Sequence, residues 1–256
     1  MKDFFNELRL YLRAAADLAL PRCCTVCGRP LHMREEVLCL PCRIGLPYTH
    51  FETLSHNPMA DRLNGILQRQ RPDGAPFDGY ARAAALLYYN ESTPYRRIPQ
   101  ALKYHRDFGC GEHFGRMLGD RLGASPLFGD VDCLVPVPLH WTRRRRRGYN
   151  QAAVIALAAK GKEAVFADLL RRRRRTSTQV RLGSVDKARN VSHAFEIRKK
   201  ALERYLKRHG MPKHVLIIDD VFTTGATVAA CYTTLREALP TSVRLSVATL
   251  SFVGRI

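Results

Sequence analysis

Short apolar runs that alternate with helical patterns along the chain predict an α/β fold. Val215–Ile218 is an uninterrupted aliphatic run, as in a parallel strand that is buried on both faces. Val131–Leu139 predicts a second strand that is ended by prolines, and residues 243–250 alternate as an edge strand would. Residues 80–89 fit a strand or a helix, and the aromatic residues at their end favour a strand. We therefore predict a mostly parallel sheet flanked by helices.

Apolar residues at three- and four-residue steps predict the helices between these strands. The first twenty residues have an amphipathic helical pattern, which favours packing against the protein over attachment to a membrane. A polar stretch with Gly183 and Ser184 predicts a flexible loop at 176–193, followed by a short strand at 194–197. The predicted organisation is an N-terminal helix (1–20), a cysteine-rich module (21–50), a connector (51–76) and an α/β domain (77–256). The predicted helices run through 59–70 and 98–104, from 111, after 151, around 202–206 and through 228–239.

The segment from Val215 to Thr227, V-L-I-I-D-D-V-F-T-T-G-A-T, joins the first of these strands to a helix. Asp219 and Asp220 end the strand, where an open α/β sheet places its ligand. The small residues that follow lie at a helix N-terminus, where unpaired N–H groups and the helix dipole favour an anion. Gly225 lets the backbone approach a phosphate closely. Because two carboxylates repel a bare phosphate, the pattern favours a ligand with hydroxyl groups beside its phosphate, such as a ribose 5-phosphate.

Four of the eight cysteines form two C-x-x-C pairs, Cys24/Cys27 and Cys39/Cys42. Each pair supplies two sulfur atoms from one tight turn, and four such ligands complete a tetrahedral structural zinc site. Cys23 is an alternative ligand in place of Cys24. The remaining cysteines lie in apolar surroundings and are predicted to be small core residues: Cys110, Cys133 and Cys231.

The chain is strongly basic, since 42 Lys and Arg against 23 Asp and Glu give a formal net charge of +19. This balance favours polyanionic partners such as nucleic acid, phosphorylated metabolites or an acidic membrane surface. Two arginine runs stand out, Arg143–Arg147 and Arg171–Arg175. The first is predicted in a loop after a strand, where it either binds a pyrophosphate or remains a solvated charge run. The chain has no run of eighteen apolar residues and no secretory signal pattern, so we expect a cytoplasmic protein without a transmembrane segment.

The Val215–Thr227 segment resembles the phosphoribosyl pyrophosphate (PRPP) motif of type I phosphoribosyltransferases. By this resemblance, Asp219 and Asp220 hold the ribose 2′- and 3′-hydroxyls, and residues 223–227 cradle the 5-phosphate. The PRPP-binding residues it implies are Asp219, Asp220, Val221, Thr223, Thr224, Gly225, Ala226 and Thr227.

Nearly the whole chain resembles the ComF family, also called the competence protein F or amidophosphoribosyltransferase-like family. The matching motifs are C-T-V-C-G-R-P-L, L-C-L-P-C, A-L-K-Y-H, V-P-V-P-L-H-W-T-R, R-G-Y-N-Q, T-S-T-Q-V-R-L-G-S-V-D-K-A-R-N-V-S-H-A-F and the PRPP motif. The resemblance implies a zinc-finger-like segment on a phosphoribosyltransferase fold, with Mg²⁺ accompanying PRPP. It places residues 137–140 where these enzymes bind pyrophosphate, and the loop at 176–193 over the site. The pyrophosphate-binding candidates are Pro138, Leu139, His140, Arg143 and Lys103, and the catalytic candidates are Asp219, Asp220, Lys187 and Arg189.

Two functions from different classes follow from this resemblance. The first is a PRPP-binding protein that handles single-stranded DNA during natural competence, alongside a helicase-like partner. The second is an active phosphoribosyltransferase that moves phosphoribose to a base or an amine, although no acceptor pocket is recognisable in the sequence.

Overall fold

A computed structural model of the protein describes residues 20–71, 79–104, 107–172 and 194–254, with the side chain of Arg143 left out. The predicted N-terminal helix and the loop at 176–193, which includes Lys187 and Arg189, lie outside these residues. In chain order, the helices are α1 (Leu40–Ile44), α2 (Pro58–Gln70), α3 (Arg97–Tyr104), α4 (Phe108–Gly123), α5 (Trp141–Arg147), α6 (Gln151–Lys160), α7 (Lys199–His209) and α8 (Ala226–Ala238). The strands are β1 (Arg82–Tyr89), β2 (Cys133–Pro136), β3 (Leu170–Arg172), β4 (Phe195–Ile197), β5 (His214–Phe222) and β6 (Arg244–Val253).

Four strands form a parallel sheet in the order β1-β6-β5-β2. The predicted fold class, an α/β protein with a phosphoribosyltransferase-like parallel sheet flanked by helices, is confirmed. Strand β5 is internal, as its apolar run predicts, with β6 on one side and β2 on the other. The edge position predicted for 243–250 is wrong, because β6 pairs with both β1 and β5. Its polar residues are compatible with the interior because buried hydroxyls find partners: Ser246 Oγ lies 2.6 Å from His214 Nε2, and Thr249 Oγ1 donates to the Ser251 carbonyl oxygen at 3.0 Å.

Both outer strands of the sheet are partly covered by other backbone. The N–H of Tyr88 on β1 donates to the Pro47 carbonyl oxygen at 2.8 Å, and Tyr48 forms an antiparallel bridge with Leu87. On the other side, the N–H of Phe166 donates to the Leu134 carbonyl oxygen of β2 at 2.8 Å. These contacts satisfy groups that an exposed sheet edge leaves unpaired.

Helix α2 packs against β1 and α8 with a buried face. Met59, Ala60 and Leu63 have no exposed surface, and the Asn57 side chain caps the helix by accepting from the N–H groups of Met59 and Ala60. These residues belong to the segment that the sequence analysis treats as a connector. Their burial brings α2 beside the turn that follows β5.

Helices α4 and α6 approach each other closely through glycines spaced four residues apart. Gly111, Gly115 and Gly119 share one face of α4. A Cβ atom added at Gly115 would lie 2.8 Å from Ala158 Cβ, and one added at Gly119 would lie 2.2 Å from the Ala159 carbonyl oxygen. The backbones therefore meet where only glycine fits, and this contact fixes α6 beside β5.

Candidate functional site

The two acids of the PRPP-like motif lie at the carboxyl end of β5. Both are partly buried, and the strand continues two residues beyond them to Phe222. The N–H of Asp220 donates to Asp219 Oδ1 at 2.9 Å, which fixes the first carboxylate against the backbone. The carboxylates therefore lie at the carboxyl end of the sheet, where parallel α/β proteins bind their ligands.

The turn after β5 leads directly into α8, whose N-cap residue, Gly225, has no side chain that could cap the helix. The N–H of Ala226 donates to Thr224 Oγ1 at 3.4 Å. Thr223 and Thr224 are exposed, and Gly225 is buried with a left-handed φ of 82°. A Cβ atom at Gly225 would lie 2.5 Å from Phe222 Cζ and 3.0 Å from Ile66 Cδ1. The turn thus needs glycine for both its conformation and its space, and it presents N–H groups that suit an anion.

Arg62 on α2 donates hydrogen bonds to the backbone at this turn, a role that sequence analysis did not identify. Its guanidinium Nη1 donates to the Thr223 carbonyl oxygen at 2.9 Å and to the Val253 carbonyl oxygen at 3.0 Å. The same guanidinium lies 4.9 Å from the centre of the Phe252 ring. Arg62 therefore joins the end of β6 to the first residue of the turn. Its position on a helix in the segment predicted as a connector gave no sequence signal for this contact.

Two cations lie close to the acidic pair. Lys103, a pyrophosphate-binding candidate, lies in the last turn of α3 with its Nζ 3.3 Å from Asp220 Oδ2. Arg172, the second residue of the second arginine run, lies on β3 opposite Phe195 of β4 and acts electrostatically on Asp219. Sequence analysis had given Arg172 no role, because a run of five arginines does not indicate which member faces a site.

The segment predicted to bind pyrophosphate runs beside the end of β5. The N–H of Val137 donates to the Ile218 carbonyl oxygen at 2.8 Å, so Pro138 and Leu139 follow next to the acidic pair. His140 is buried and caps α5, with Nδ1 2.8 Å from Thr142 Oγ1. This arrangement brings the segment to the same carboxyl end of the sheet as the PRPP-like motif.

The first arginine run forms helix α5, and its predicted placement in a loop is wrong. His140 caps the start of the helix, and Gly148 ends it in the left-handed conformation with φ 81°. Arginines at a helix C-terminus are also favoured by the helix dipole. Arg144, Arg145 and Arg146 are exposed. The helix also includes Arg143, and it begins beside the carboxyl end of the sheet.

Arg147 differs from its neighbours because it is partly buried in a hydrogen-bond network. Its Nη1 donates to Gln151 Oε1 at 3.0 Å, and Gln151 Nε2 donates to the Leu102 carbonyl oxygen at 3.3 Å. The Tyr149 hydroxyl donates to that same carbonyl oxygen. The network joins the end of α5 to the end of α3, next to Lys103.

Burial and the charge of Asp220 raise the pKa of Asp219 from 3.8 to about 7. The N–H of Asp220 and the charges of Lys103 and Arg172 act in the opposite direction but do not cancel this effect. The folded protein therefore holds a proton on Asp219 more tightly than the unfolded chain does. Between about pH 4 and pH 7, raising the pH therefore reduces the contribution of Asp219 to the free energy of unfolding, and above pH 7 this loss is complete.

We expect Asp219→Asn to stabilise the protein without ligand by about 1–2 kcal/mol at pH 8, since it removes a repelled, partly desolvated charge. The gain should shrink steeply toward pH 4, where Asp219 is protonated in the folded protein and about half protonated in the unfolded chain. Urea unfolding of both proteins from pH 4 to pH 8 measures it. Glu163→Gln, a change at an exposed carboxylate, is the control and should show no such trend. A constant difference at every pH would contradict this account of the charge.

The four predicted zinc ligands form a cluster, with the Sγ atoms of Cys24, Cys27, Cys39 and Cys42 within 4.8 Å of one another. In a tetrahedral site with Zn–S bonds of about 2.3 Å, sulfur atoms lie roughly 3.8 Å apart, and the Cys27–Cys39 distance is 3.6 Å. The group could hold a structural zinc, which would cross-link its two C-x-x-C turns. Cys23 is exposed, and its Sγ points to the Pro21 carbonyl oxygen at 3.6 Å.

The thiols of the cluster differ in acidity. Burial opposes ionisation of Cys24, but N–H groups of Cys27, Cys39 and Val26 outweigh it and lower its pKa to about 7. Burial and the other thiols raise the pKa of Cys42 well above its ordinary value. Four crowded sulfurs cannot all ionise alone, whereas a divalent cation stabilises them as thiolates.

We expect Cys24→Ser to lose bound zinc and Cys23→Ser to retain about one zinc per chain, measured by atomic absorption. Without zinc the module should loosen where Arg97 Nη1 donates to the Val26 carbonyl oxygen and the Tyr95 hydroxyl donates to the Cys42 carbonyl oxygen. A loss of about 2 kcal/mol would lower the melting temperature by roughly 5 °C. Equal zinc content in the two variants would contradict the assignment of Cys24.

A serine, a histidine and an aspartate also align at the opposite end of the sheet. His214 Nε2 lies 2.6 Å from Ser246 Oγ, and Nδ1 lies 2.8 Å from Asp130 Oδ1. Ser246 and His214 are 1% exposed, so no substrate can reach the hydroxyl. Burial lowers the pKa of His214 to about 4, and the arrangement serves as a hydrogen-bonded brace between β5 and β6.

None of the helices in the described ranges combines the length and apolar character that crossing a bilayer requires. No protein-family model matches the chain.

Curated proteins, in contrast, match most of its length. Competence protein F of Haemophilus influenzae is 31% identical over 242 residues, covering 93% of this chain and 94% of that protein. The proteins named DNA utilization protein YhgH of Escherichia coli K12 and Salmonella typhimurium are 30% identical over 211 residues and 39% identical over 212 residues, with 80% of each chain covered. These relatives, the cysteine cluster and the parallel sheet confirm the family that the motifs predicted. The chain belongs to the competence protein F (ComF) family.

Proposed function

We propose that this protein binds Mg-PRPP at the carboxyl end of β5 and acts in the uptake and use of DNA. The observation that carries the proposal is the partly buried pair Asp219–Asp220 at the end of β5, followed within five residues by the Gly225 turn that leads into α8. Carboxylates accept hydrogen bonds from sugar hydroxyls, and helix N–H groups donate to a phosphate. This combination suits a ribose 5-phosphate better than a bare anion, which the acids would repel.

In this proposal, Asp219 and Asp220 accept from the ribose 2′- and 3′-hydroxyls, and residues 223–227 surround the 5-phosphate. Lys103 balances the charge of Asp220 without ligand and turns to the pyrophosphate when PRPP binds. The segment Pro138–His140 adds the second wall of the pyrophosphate site. Arg143, Lys187 and Arg189 remain candidates for the same group on the family resemblance.

The DNA role is supported by the names of the relatives, which are called competence and DNA utilization proteins. The net charge of +19 suits a polyanionic partner. Single-stranded DNA is the form we propose, with a helicase-like competence protein as the protein partner.

An active phosphoribosyltransferase is the second candidate, and the cations around the acidic pair favour it. In the transfer, the C1–O bond of PRPP breaks and pyrophosphate leaves with the electron pair. The lone pair of an amine or ring nitrogen then forms the new C1–N bond, and that nitrogen loses its proton. In this candidate function, the positive charges of Lys103 and Arg172, which act on the acidic pair, also stabilise the departing pyrophosphate.

Calorimetric titration with Mg-PRPP, ribose 5-phosphate and Mg-pyrophosphate tests the proposal. We expect PRPP to bind at least about ten times more tightly than either part, because it engages both halves of the site. Equal affinity for PRPP and pyrophosphate would argue against a sugar-specific site. A screen of nucleobases and ammonia for pyrophosphate release separates the two candidates, since release with any acceptor establishes the enzyme.

A further inference from the structure

A group of exposed aromatic and arginine side chains lies beside the proposed PRPP site. Tyr104 is 69% exposed, Phe108 47% and Trp141 63%, and three arginines of α5 are exposed with them. We refer to these six residues as the aromatic–arginine surface: Tyr104, Phe108, Trp141, Arg144, Arg145 and Arg146. A single exposed aromatic side chain is common on a protein surface, whereas a group of them rimmed by polar residues marks an interaction site.

The aromatic–arginine surface is held together by the elements beneath it. The rings of Phe108 and Tyr149 lie 4.4 Å apart, and the Tyr149 hydroxyl donates to the Leu102 carbonyl oxygen. Gln151 at the start of α6 donates to the same carbonyl oxygen, and Arg147 at the end of α5 donates to Gln151 Oε1. The end of α3, the start of α4 and helix α5 therefore present their exposed side chains from one connected framework.

The charge of this surface is unbalanced. Helix α5 contains five arginines and no acid among its seven residues. Within the described parts of the chain, no carboxylate forms an ion pair with Arg144, Arg145 or Arg146. Arginines of this kind bind phosphates through paired N–H donors, so the partner is a polyanion.

We propose that the aromatic–arginine surface binds single-stranded nucleic acid, with bases stacked on its aromatic rings and phosphates on Arg144–Arg146. This rests on the proposed role in DNA handling and names the surface that performs it. Unpaired bases stack on aromatic side chains, whereas bases in a duplex already stack on each other. Aromatic and arginine side chains together therefore favour a single strand over a duplex or an acidic protein.

The position of the surface links it to the proposed PRPP site. Tyr104 is the neighbour of Lys103, whose Nζ lies 3.3 Å from Asp220. A strand on the surface and a pyrophosphate near Lys103 would bring their negative charges close together. We therefore expect Mg-PRPP to weaken single-strand binding, and the reverse by the same factor.

Fluorescence anisotropy with labelled oligothymidylate tests the proposal, using the full chain. Trp141→Ala should weaken binding roughly ten-fold, the loss expected for one stacked base. The triple variant Arg144→Gln/Arg145→Gln/Arg146→Gln should weaken it further and reduce the slope of log K against log salt by about 2. A hairpin duplex of equal charge should bind more weakly than the single strand to the wild type.

The matched control is Lys200→Gln/Arg204→Gln/Lys207→Gln on α7, which removes the same charge from another exposed face. Unchanged binding in this control, with melting temperatures of all variants near that of the wild type, supports the surface. Equal losses of single-strand affinity in the two triple variants would show that only net charge matters and would overturn the proposed binding surface. Full competition by polyglutamate would overturn it as well. If the wild type binds no single-stranded DNA, both the proposed surface and the proposed DNA role are wrong. If binding depends on α7 instead, only the proposed surface is wrong.

Discussion

Asp219→Asn/Asp220→Asn should reduce the affinity for Mg-PRPP at least about 100-fold. Each carboxylate that loses its charge gives up a charge-assisted hydrogen bond to a ribose hydroxyl, at about 1.5–3 kcal/mol each, and the sum corresponds to two or more powers of ten. The changes are isosteric, and the variant should be at least as stable as the wild type because the repulsion at Asp219 is gone. Calorimetric titration of both proteins measures the difference.

Inorganic Mg-pyrophosphate is the ligand that makes this test specific. It has no hydroxyl groups, so the double variant should bind it as well as the wild type or better, since two negative charges have been removed. Glu163→Gln controls for the loss of a carboxylate elsewhere. Parallel losses for PRPP and pyrophosphate would mean that the aspartates do not recognise the sugar.

Gly119→Ala should destabilise the protein by more than about 3 kcal/mol, the largest stability effect that we expect from a single methyl group. The added Cβ atom would lie 2.2 Å from the carbonyl oxygen, 2.7 Å from Cα and 2.8 Å from the carbonyl carbon of Ala159. All three are backbone atoms of α6 and cannot rotate away. Helices α4 and α6 would have to separate, which would also disturb the packing of α6 on β5.

Gly123→Ala on the same helix is the matched control, because its added Cβ atom meets nothing within 4 Å. Alanine favours a helix over glycine by about 1 kcal/mol, so this variant should be as stable as the wild type or slightly more so. Urea unfolding of both variants provides the comparison. If Gly119→Ala unfolds at the same urea concentration as the wild type, the close approach of the helices is not as described.

The sequence predicted those parts of the fold whose pattern is local. The aliphatic run before Asp219 predicted an internal strand, and the two C-x-x-C pairs predicted a cluster that the structure brings within 4.8 Å. The placement of β6 could not be predicted in the same way. Its alternating serines and threonines are typical of an exposed edge, and only the partners of Ser246 and Thr249 in the fold explain their burial.

The candidate site shows the same division between local and long-range signals. The PRPP-like motif is contiguous, so its acids and its turn were found together. Arg62 donates to the turn across 161 positions of sequence, and Arg172, one of a run of similar arginines, acts on Asp219 through its charge. Such interactions depend on the packing of α2 and β3, for which no short pattern exists. The close contact of α4 with α6 was not predicted, because the glycine spacing on α4 indicates a helix contact only once the position of α6 is known.

The most direct test of the account is to record the backbone amide resonances of the turn while Mg-PRPP is added. The N–H groups of residues 224–227 should shift strongly, together with those next to Asp219 and Asp220, because a phosphate accepts from the start of α8. The amides of α7, on another face of the protein, should change little at the same ligand concentration. A PRPP titration that shifts resonances elsewhere but leaves Gly225 and its neighbours unchanged would contradict the proposed site.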